Sequence, residues 1–309
     1  MPMKKADREG LLRNYELSWL QKTAMRILAQ GRIPQHVALI MDGNRRYAKQ
    51  VQRKTIDGHK EGFSKLSEVL FWCRELGVTE VTVYAFSIEN FKRTKDEVDA
   101  LLDLAEEKFR DLLDDHETLV EHQVCIRILG NTSYLPVSLQ QLCAELMLKT
   151  KDHHKCFVNI ALSYTAREEM CTAIEDLLAA ASEGLVKPRN FNEALLSSAM
   201  YSKDSPDPDL LIRTSGEVRL SDFLLWQTGF TVVEFIPELW PKLNIWQFLG
   251  AILHYQWQAI QIVNCSQGFL SDNEIIHEDF DKFIERRRLQ KLRDASLGNV
   301  EQKPIEDIQ

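Results

Sequence analysis

The sequence lacks the features that mark several large protein classes. No apolar run approaches the roughly 18 residues that would span a membrane, and the first residues contain no apolar segment of a secretory signal. The six cysteines form no Cys-x-x-Cys pair, so we expect reduced, buried thiols in a cytosolic protein. Acidic residues outnumber basic ones by 46 to 38, a net charge of -8, and this balance disfavours a nucleic-acid-binding surface.

Several common catalytic motifs are missing as well. The chain has no Gly-x-x-x-x-Gly-Lys-Ser/Thr loop, no Gly-x-Gly-x-x-Gly, no His-Glu-x-x-His and no Gly-x-Ser-x-Gly. These absences disfavour P-loop nucleotide hydrolases, common dehydrogenases, zinc proteases and serine hydrolases. Aspartate-rich motifs that bind diphosphate through several magnesium ions are also absent.

The composition that is present is typical of a globular protein, with 44% hydrophobic and 27% charged residues among 309. Apolar, β-branched runs alternate with segments of helical period, which predicts a parallel sheet with crossover helices. Strands are predicted over 36–41, 80–86, 124–130, 156–162, 209–214 and 231–235. Helices are predicted over 60–76, 96–120, 137–150, 166–183, 190–201 and 243–263. No repeat or Gly/Ser linker divides the chain, so we predict one α/β domain with a mostly parallel six-stranded sheet flanked by helices.

Two terminal segments are amphipathic. Near the N-terminus one helical stripe carries apolar residues, Leu17, Leu20, Ala24, Ile27 and Leu28. Such a helix lies either in a membrane interface or against the protein core, and the pattern favours neither. Near the C-terminus a second stripe holds Ile276, Phe280, Phe283 and Ile284 beside Arg286-Arg287-Arg288. This segment is either a partner-binding helix or a solvated charged run.

Polar clusters follow three of the predicted strands. They lie at 42–46, at 87–90 and at 213–217. Because ligands of parallel sheets bind at the carboxyl ends of the strands, these clusters predict one polar site there.

The first cluster resembles an anion site. Residues 42–54 gather five basic side chains in an acidic protein, and Gly43 would let backbone N–H groups face phosphate oxygens. Asp42 within this cationic segment is explained as a Mg²⁺ ligand shared with phosphates. The alternative is that Asp42 caps the next helix while the arginines face water.

The cluster after the fifth predicted strand offers a second phosphate site. Arg213 and Arg219, with Ser215 and Ser221 nearby, supply guanidinium forks and hydroxyl donors. Glu217 lies between the arginines, and the simpler interpretation is that it pairs with one of them.

Two further polar groups have ordinary structural explanations. A histidine such as His59 is more often a structural or helix-start residue than a catalyst. Ser87 and Asn90 are equally explained as turn formers.

Four blocks of the sequence, taken together, resemble the signature regions of one enzyme family. The blocks are MDGNRRYAK (41–49), GHKEG (58–62), YAFSIENFKR (84–93) and IRTSGEVRLSDFLLWQT (212–228). In this order they are similar to the signatures of the cis-prenyltransferases, the Z-type polyprenyl diphosphate synthases, across residues 33–263. The first and last blocks resemble the eukaryotic branch, whose dehydrodolichyl diphosphate product serves dolichol synthesis and protein glycosylation.

The resemblance implies an activity and a set of site residues. The family condenses isopentenyl diphosphate repeatedly onto an allylic primer, usually farnesyl diphosphate, and makes each new double bond cis. By resemblance, Asp42 would hold Mg²⁺ and, with Asn90 and Ser87, act at the reacting end. The allylic diphosphate would be bound by Gly43, Asn44, Arg45, Arg46, His59 and Arg93. Isopentenyl diphosphate would be bound by Arg213, Arg219 and Ser221.

A growing prenyl chain requires an apolar tunnel. Candidates for its lining are Val98, Leu101, Leu102, Leu104, Ala105, Phe109, Leu112, Leu113, Ile126, Ile128, Ile160 and Leu162. The alternative for most of these positions is ordinary packing of a helix on a sheet.

By resemblance, the catalytic domain spans residues 33–265, between an N-terminal amphipathic helix in 1–32 and a charged helical tail in 266–309. Three departures from the family pattern are informative. Val232 stands where single-subunit members carry a metal-sharing glutamate, and Thr55 stands where the family often has an arginine. No Arg-x-Gly triplet follows residue 230, a motif that homodimeric members use in a neighbour's isopentenyl diphosphate site.

In the eukaryotic branch a second, non-catalytic subunit resembling the Nogo-B receptor supplies that triplet. The resemblance therefore implies a heteromer in peripheral contact with the cytosolic face of the endoplasmic reticulum membrane. The alternative function is that of a non-catalytic, partner-binding subunit of the same fold.

Overall fold

The computed structural model describes residues 11–266 and 278–305, with side chains omitted for 263–266. Its six strands are β1 (His36–Ile40), β2 (Glu80–Ser87), β3 (Val124–Leu129), β4 (Cys156–Tyr164), β5 (Leu210–Arg213) and β6 (Val232–Phe235). Its helices are α1 (Trp19–Leu28), α2 (Asn44–Gln50), α3 (Thr55–Leu76), α4 (Lys95–Asp114), α5 (His116–His122), α6 (Val137–Thr150), α7 (Ala166–Ser182), α8 (Glu193–Ala199), α9 (Ile245–Ser266) and α10 (Glu278–Ser296).

The strands form one sheet in the order β3-β4-β2-β1-β5-β6, and every pairing is parallel. The predicted six-stranded α/β domain is confirmed, and each predicted strand agrees with the observed one to within two residues. Strand β1 lies near the centre, where Leu39 pairs with Val83 of β2 and Ile212 of β5. All five of its residues are buried, as expected for a strand covered on both faces.

Each face of the sheet packs against different elements. Val37 and Leu39 of β1 belong to the largest core cluster, with residues of α3, α4, α6 and α9. Ala38 and Ile40 point to the opposite face, where they pack with Phe223 and its neighbours. The alternation of a strand thus separates two cores.

The C-terminal apolar stripe packs on its own domain. Phe280, Phe283 and Ile284 are buried in a cluster with residues of α7 and α8, whereas Ile276 lies outside the described residues. Arg287 pairs with Asp176 of α7 at 3.2 Å. The partner-helix hypothesis is therefore wrong for these residues, and the charged run is not simply solvated.

Two predicted helices are shorter than expected. The segment 96–120 is divided at Asp115, which ends α4 and precedes α5. The carboxylate of Asp115 makes no cap hydrogen bond to the backbone of α5 but accepts one from the Thr118 hydroxyl at 2.7 Å. The segment 190–201 yields only α8, capped by the Asn192 side chain on the Leu195 N–H at 2.9 Å.

The cysteines are mostly buried, free thiols. Burial raises the pKa of Cys73 to about 12, so its thiol stays protonated and unreactive at neutral pH. Cys171 is exposed, so the prediction that the thiols are buried is wrong there. The side chain of Cys265 lies outside the described ones.

A buried polar network crosses four strands near their amino ends. The Asn159 amide donates to Glu80 Oε1 at 2.6 Å and to the Thr82 hydroxyl at 2.9 Å. Arg127 Nη1 lies 3.3 Å from the same Glu80 oxygen, and His36 Nε2 lies 2.7 Å from Thr82 Oγ1. Buried polar groups are costly unless they are paired, so this network favours one register of β1, β2, β3 and β4.

We expect the Asn159→Ala variant to lower the free energy of unfolding by about 2 kcal/mol, because a buried carboxylate loses a hydrogen bond. Urea unfolding measures this change. The network lies at the sheet edge opposite the polar clusters, so substrate affinity should stay at the wild-type value. An unchanged urea midpoint would contradict the assigned role of the network.

Candidate active site

The carboxyl ends of the strands border a cavity of about 900 Å³. All twelve predicted site residues line it, namely Asp42, Gly43, Asn44, Arg45, Arg46, His59, Ser87, Asn90, Arg93, Arg213, Arg219 and Ser221. Residues of α3, α4 and β4 form its apolar wall, including Phe63, Leu66, Leu101, Ala105, Phe109, Leu112, Ile160 and Leu162. The predicted lining residues Leu102 and Leu104 line it as well. The other tunnel candidates, Val98, Leu113, Ile126 and Ile128, do not line the cavity and pack in the core. The cavity thus joins a charged end to an apolar end.

Asp42 lies directly beyond β1 and is held by arginines. Its Oδ2 accepts a hydrogen bond from Arg213 Nη2 at 3.0 Å and lies 3.6 Å from Arg46 Nη2. Burial alone would raise the pKa of Asp42, but Arg213 and Arg46 hold it below its ordinary value. The residue before α2 is Gly43, with no side-chain cap. The capping alternative for Asp42 is therefore wrong, and its carboxylate is ionised at neutral pH.

Gly43 allows two loops to approach each other closely. Its φ is 108°, in the region that glycine adopts most readily. A Cβ atom there would lie 2.9 Å from Leu239 Cδ2 and 3.1 Å from Ser215 Cβ. Any side chain at position 43 would therefore push the Asp42 loop away from the loop that follows β5.

At the predicted binding site for the allylic diphosphate, Arg93, Arg45 and His59 lie around the carboxylate of Glu97. Arg93 Nη1 lies 2.9 Å and Arg45 Nη1 lies 3.6 Å from Glu97 Oε1. Burial, followed by the charges of Arg93 and Arg45, lowers the pKa of His59 to about 4. Glu97 was not predicted, because an acidic residue in the first turn of a helix is common for reasons of the helix dipole alone.

Arg213 connects the two predicted phosphate sites. Its side chain is 3% exposed, and Nη1 donates to Ser221 Oγ at 2.7 Å and to the Arg219 carbonyl, while Nη2 donates to Asp42. Glu217 pairs with Arg219 and lies 3.4 Å from Arg46. The pairing interpretation of Glu217 is confirmed, and both arginine clusters meet within one hydrogen-bonded unit.

Ser87 and Asn90 form a local cap. Asn90 Oδ1 accepts from the Ser87 N–H at 3.0 Å, and Ser87 Oγ accepts from the Glu89 N–H at 3.2 Å. The turn-former interpretation is therefore confirmed. Both residues also line the cavity. Their part at the reacting end stays a prediction.

Three buried polar atoms of the site have no hydrogen-bond partner. They are Asn44 Oδ1, His59 Nε2 and Arg213 Nε. Most buried polar atoms in proteins are hydrogen-bonded to protein or water. The described residues contain four further atoms of this kind away from the cavity, in Asn159, Ser163, Gln227 and Arg287, so the three atoms at the site are compatible with a polar ligand but do not by themselves indicate one.

Mg²⁺ fits this donor set. The described residues contain no group of three His, Cys, Asp or Glu side chains arranged to hold a metal. Mg²⁺ is commonly bound by one or two carboxylates together with substrate phosphates, and ionised Asp42 supplies one. Val232 is buried, and Glu234 accepts from His254 at 2.5 Å. Neither residue lines the cavity.

Sequence reasoning missed Arg167, which lines the cavity and pairs with Asp222 at 2.7 Å. It follows the carboxyl end of β4 by three residues. Polar clusters were predicted after only three of the strands. Ligands of parallel sheets bind at the carboxyl ends of the strands, and the same rule applied to the fourth strand would have identified Arg167.

The low pKa of His59 gives stability a defined dependence on pH. The imidazole has a pKa near 6.5 when unfolded and about 4 when folded. Below about pH 6.5 the unfolded chain binds the proton more readily, so the free energy of unfolding falls as pH falls toward 4, by about 3 kcal/mol in total. Urea unfolding at pH 7 and pH 4.5 measures this loss. We expect His59→Gln to have a smaller loss, and an equal loss would contradict the assignment.

Known proteins similar to this chain are prenyl diphosphate synthases. A family model described as undecaprenyl diphosphate synthase matches residues 40–262. The dehydrodolichyl diphosphate synthase complex subunit of Homo sapiens is 44% identical over 294 residues, which cover 95% of this chain and 84% of that protein. The corresponding subunit of Mus musculus is 51% identical over 241 residues, covering 78% of this chain and 72% of that protein.

Among solved structures, lavandulyl diphosphate synthase from Lavandula x intermedia, in complex with dimethylallyl diphosphate, is similar with a TM-score of 0.68. It is 32% identical, and the match covers 72% of this chain and 95% of that chain. The family match contains every predicted site residue. With this match and the shared fold, the chain belongs to the cis-prenyltransferase family of prenyl diphosphate synthases.

Proposed function

We propose that this enzyme condenses isopentenyl diphosphate repeatedly onto farnesyl diphosphate with cis stereochemistry, giving a long-chain polyprenyl (dehydrodolichyl) diphosphate for dolichol synthesis and protein glycosylation. The observation that carries this proposal is the hydrogen-bonded unit of Asp42 and Arg213. It joins two arginine clusters at the charged end of a cavity whose other end is apolar. The two arginine clusters match two diphosphates, and the apolar end matches one growing hydrocarbon chain.

The arginines divide the two diphosphates between them. Arg45, Arg93 and neutral His59 bind the allylic diphosphate, and Arg213, Arg219 and Ser221 bind isopentenyl diphosphate. Aligned donors stabilise the charge that develops on the leaving diphosphate. Mg²⁺ held by Asp42 supplies further Lewis-acid stabilisation of that charge.

In the condensation the allylic C–O bond breaks and the double bond of isopentenyl diphosphate forms the new C–C bond, which leaves a tertiary cation on the isopentenyl unit. One proton then leaves the carbon adjacent to that cation, and the electron pair of the C–H bond forms the new double bond between the two carbons. His59, with a pKa of about 4, is a weak base, so the released diphosphate takes this proton. Holding both diphosphates close together turns an encounter of two molecules into a positioned reaction.

The apolar part of the cavity accommodates the growing chain. Leu101, Ala105, Phe109 and Leu112 of α4 line it together with Ile160 and Leu162 of β4. The whole cavity, at about 900 Å³, lies near the upper end of the roughly 300–1,000 Å³ of typical ligand pockets.

Product analysis tests the proposed function. Elongated products with new cis double bonds support it, and trans products or no products contradict it.

The alternative is a non-catalytic, partner-binding subunit. A subunit without chemistry has no need for an ionised Asp42 hydrogen-bonded to a buried Arg213, yet the cavity holds both. The catalytic function is therefore the better-supported proposal.

We further propose a heteromer with a non-catalytic, Nogo-B-receptor-like subunit. The Arg-x-Gly triplet is absent after residue 230, and the human and mouse relatives are named complex subunits. One stripe of α9 exposes Trp246, Leu253 and Trp257, which are 49%, 58% and 76% accessible. Exposed apolar faces of this kind are typical of subunit contacts.

We also propose peripheral contact with the cytosolic face of the endoplasmic reticulum membrane, as the family resemblance implies, and a second apolar surface is available for contact with a membrane. Met25 of α1 is buried, and Ala24 and Leu28 pack on the core. Of the predicted stripe, Leu20 and Ile27 are 50% and 67% exposed, and Trp19, outside that stripe, is 77% exposed. Across the described parts of the chain, no helix is both long and apolar enough to span a bilayer. The predicted stripe thus divides between the core and a free apolar face, which is suited to an interface.

Flotation with phosphatidylcholine/phosphatidylserine vesicles tests this contact. We expect the double variant Trp19→Ser, Ile27→Ser to float several-fold less than the wild type, because burying apolar side chains drives interfacial binding. A chain without residues 1–30 should behave in the same way. Equal flotation of all forms would eliminate the membrane proposal.

A further inference from the structure

The turn that carries Ser221 has an unusual backbone. Ser221, Asp222 and Leu224 have φ values of 52°, 59° and 48°, in the left-handed region that residues with a Cβ seldom adopt. No glycine is present in this turn to relieve the strain. A conformation of this kind persists only where the surrounding contacts enforce it.

The first turn of α7 holds the central residue of this turn. The Ala166 N–H donates to the Asp222 carbonyl at 2.8 Å, and the Arg167 N–H donates to Asp222 Oδ1 at 3.2 Å. Arg167 Nε donates to Asp222 Oδ2 at 2.7 Å. The first N–H groups of a helix have no partner within the helix, and a carboxylate is favourable at this positive end. Thr165 is the N-cap residue of α7, with its hydroxyl accepting from the Glu168 N–H at 3.4 Å. Asp222 completes this cap by accepting from the first two N–H groups of a helix that begins 56 residues before it.

Contacts from the sheet hold the rest of the turn. The Tyr84 hydroxyl lies 3.3 Å from the Ser221 carbonyl and 3.2 Å from the Tyr164 carbonyl, so its one hydrogen is shared between the turn and β4. The Tyr84 ring stacks on buried Phe223 at 4.5 Å between centroids. Ser221 Oγ in turn accepts from Arg213 Nη1 at 2.7 Å. The helix cap is thus linked through one residue to the guanidinium that joins both phosphate clusters.

We propose that Asp222 is a positioning residue for the isopentenyl diphosphate site: capping of α7 by its carboxylate fixes the strained turn that aims Ser221 and Arg213. The proposal rests on the proposed function of those two residues. Asp222 does not line the cavity, so we assign it no contact with substrate. Its negative charge would repel a diphosphate, but Arg167 and the helix N-terminus offset it.

Steady-state kinetics of Asp222→Ala and Asp222→Asn test this role, in the preparation in which the wild type is active. We expect Asp222→Ala to raise KM for isopentenyl diphosphate about tenfold and Asp222→Asn about threefold, because asparagine keeps the acceptor for the Arg167 N–H. KM for farnesyl diphosphate should stay within about twofold of the wild type.

A matched control separates positioning from stability. Asn192→Ala removes the cap of α8, which does not line the cavity, at a comparable loss of stability. This control should lower Tm as Asp222→Ala does without changing KM for isopentenyl diphosphate. A rise in both KM values, an unchanged KM in Asp222→Ala, or a raised KM in the control would overturn the proposal.

Calorimetric titration of isopentenyl diphosphate distinguishes the two ways of failing. A wild type that neither binds nor incorporates isopentenyl diphosphate removes the proposed function itself. A wild type that does both, alongside an Asp222→Ala variant of equal affinity, removes only the positioning role.

Discussion

Replacing Asp42 by asparagine is expected to lower kcat about a thousandfold, with the fold retained. Removing a metal-binding carboxylate takes away stabilisation of the leaving diphosphate, and single electrostatic groups in active sites are worth about 100- to 1,000-fold in kcat. Asparagine keeps an oxygen acceptor for Arg213, which is 3.0 Å away, so the buried guanidinium retains a partner. Turnover with labelled isopentenyl diphosphate and Mg²⁺ measures the loss.

Asp57→Asn is the matched control for this prediction. Asp57 accepts from the Lys54 N–H at 3.2 Å as part of the cap of α3, and it does not line the cavity. The same chemical change there should leave kcat within about twofold of the wild type. A near-wild-type kcat in Asp42→Asn would remove Asp42 from the mechanism.

Arg213→Lys is expected to lower kcat/KM for isopentenyl diphosphate about a hundredfold and the free energy of unfolding by about 2 kcal/mol. The planar guanidinium donates to Asp42, Ser221 and the Arg219 carbonyl at once. An ammonium group cannot match that fork. Hydrogen bonds to buried charged groups contribute about 1.5–3 kcal/mol each. Kinetics and urea unfolding of the same variant measure both losses.

Arg286→Lys is the control for the loss of a guanidinium. Arg286 is 72% exposed and lies 3.9 Å from Glu183, and exposed pairs of this kind are worth about 1 kcal/mol or less. Its stability and kinetics should match those of the wild type. An Arg213→Lys enzyme that kept wild-type kcat/KM would contradict the assignment of Arg213 to the isopentenyl diphosphate site.

The strands and the polar edge of the sheet could be predicted because their signals are local. A run such as Val37–Ile40 is apolar on both faces, which is typical of a central parallel strand. The clusters at Asp42 and Arg213 directly follow such runs, so their meeting at one edge follows from parallel pairing. The family resemblance then singled out residues that all line one cavity.

The remaining features depend on contacts between distant parts of the chain. The pairing of β1 with β5 joins segments about 170 residues apart, and no local pattern encodes it. Glu97 resembles an ordinary acidic residue at a helix start until its contacts with Arg93 and Arg45 are seen. The left-handed backbone at Asp222 could not be predicted, since no glycine marks it in the sequence. Its contacts with the first turn of α7 come from a distant part of the chain.

This chain belongs to the cis-prenyltransferases, and we propose that it carries the catalytic site and works with a second subunit. Incorporation of labelled isopentenyl diphosphate onto farnesyl diphosphate with Mg²⁺ tests both proposals, with the chain alone and with a Nogo-B-receptor-like subunit added. We predict strong incorporation in the mixture and weak incorporation by the chain alone. Full activity of the chain alone would remove the need for a partner, and no incorporation in either case would contradict the catalytic assignment.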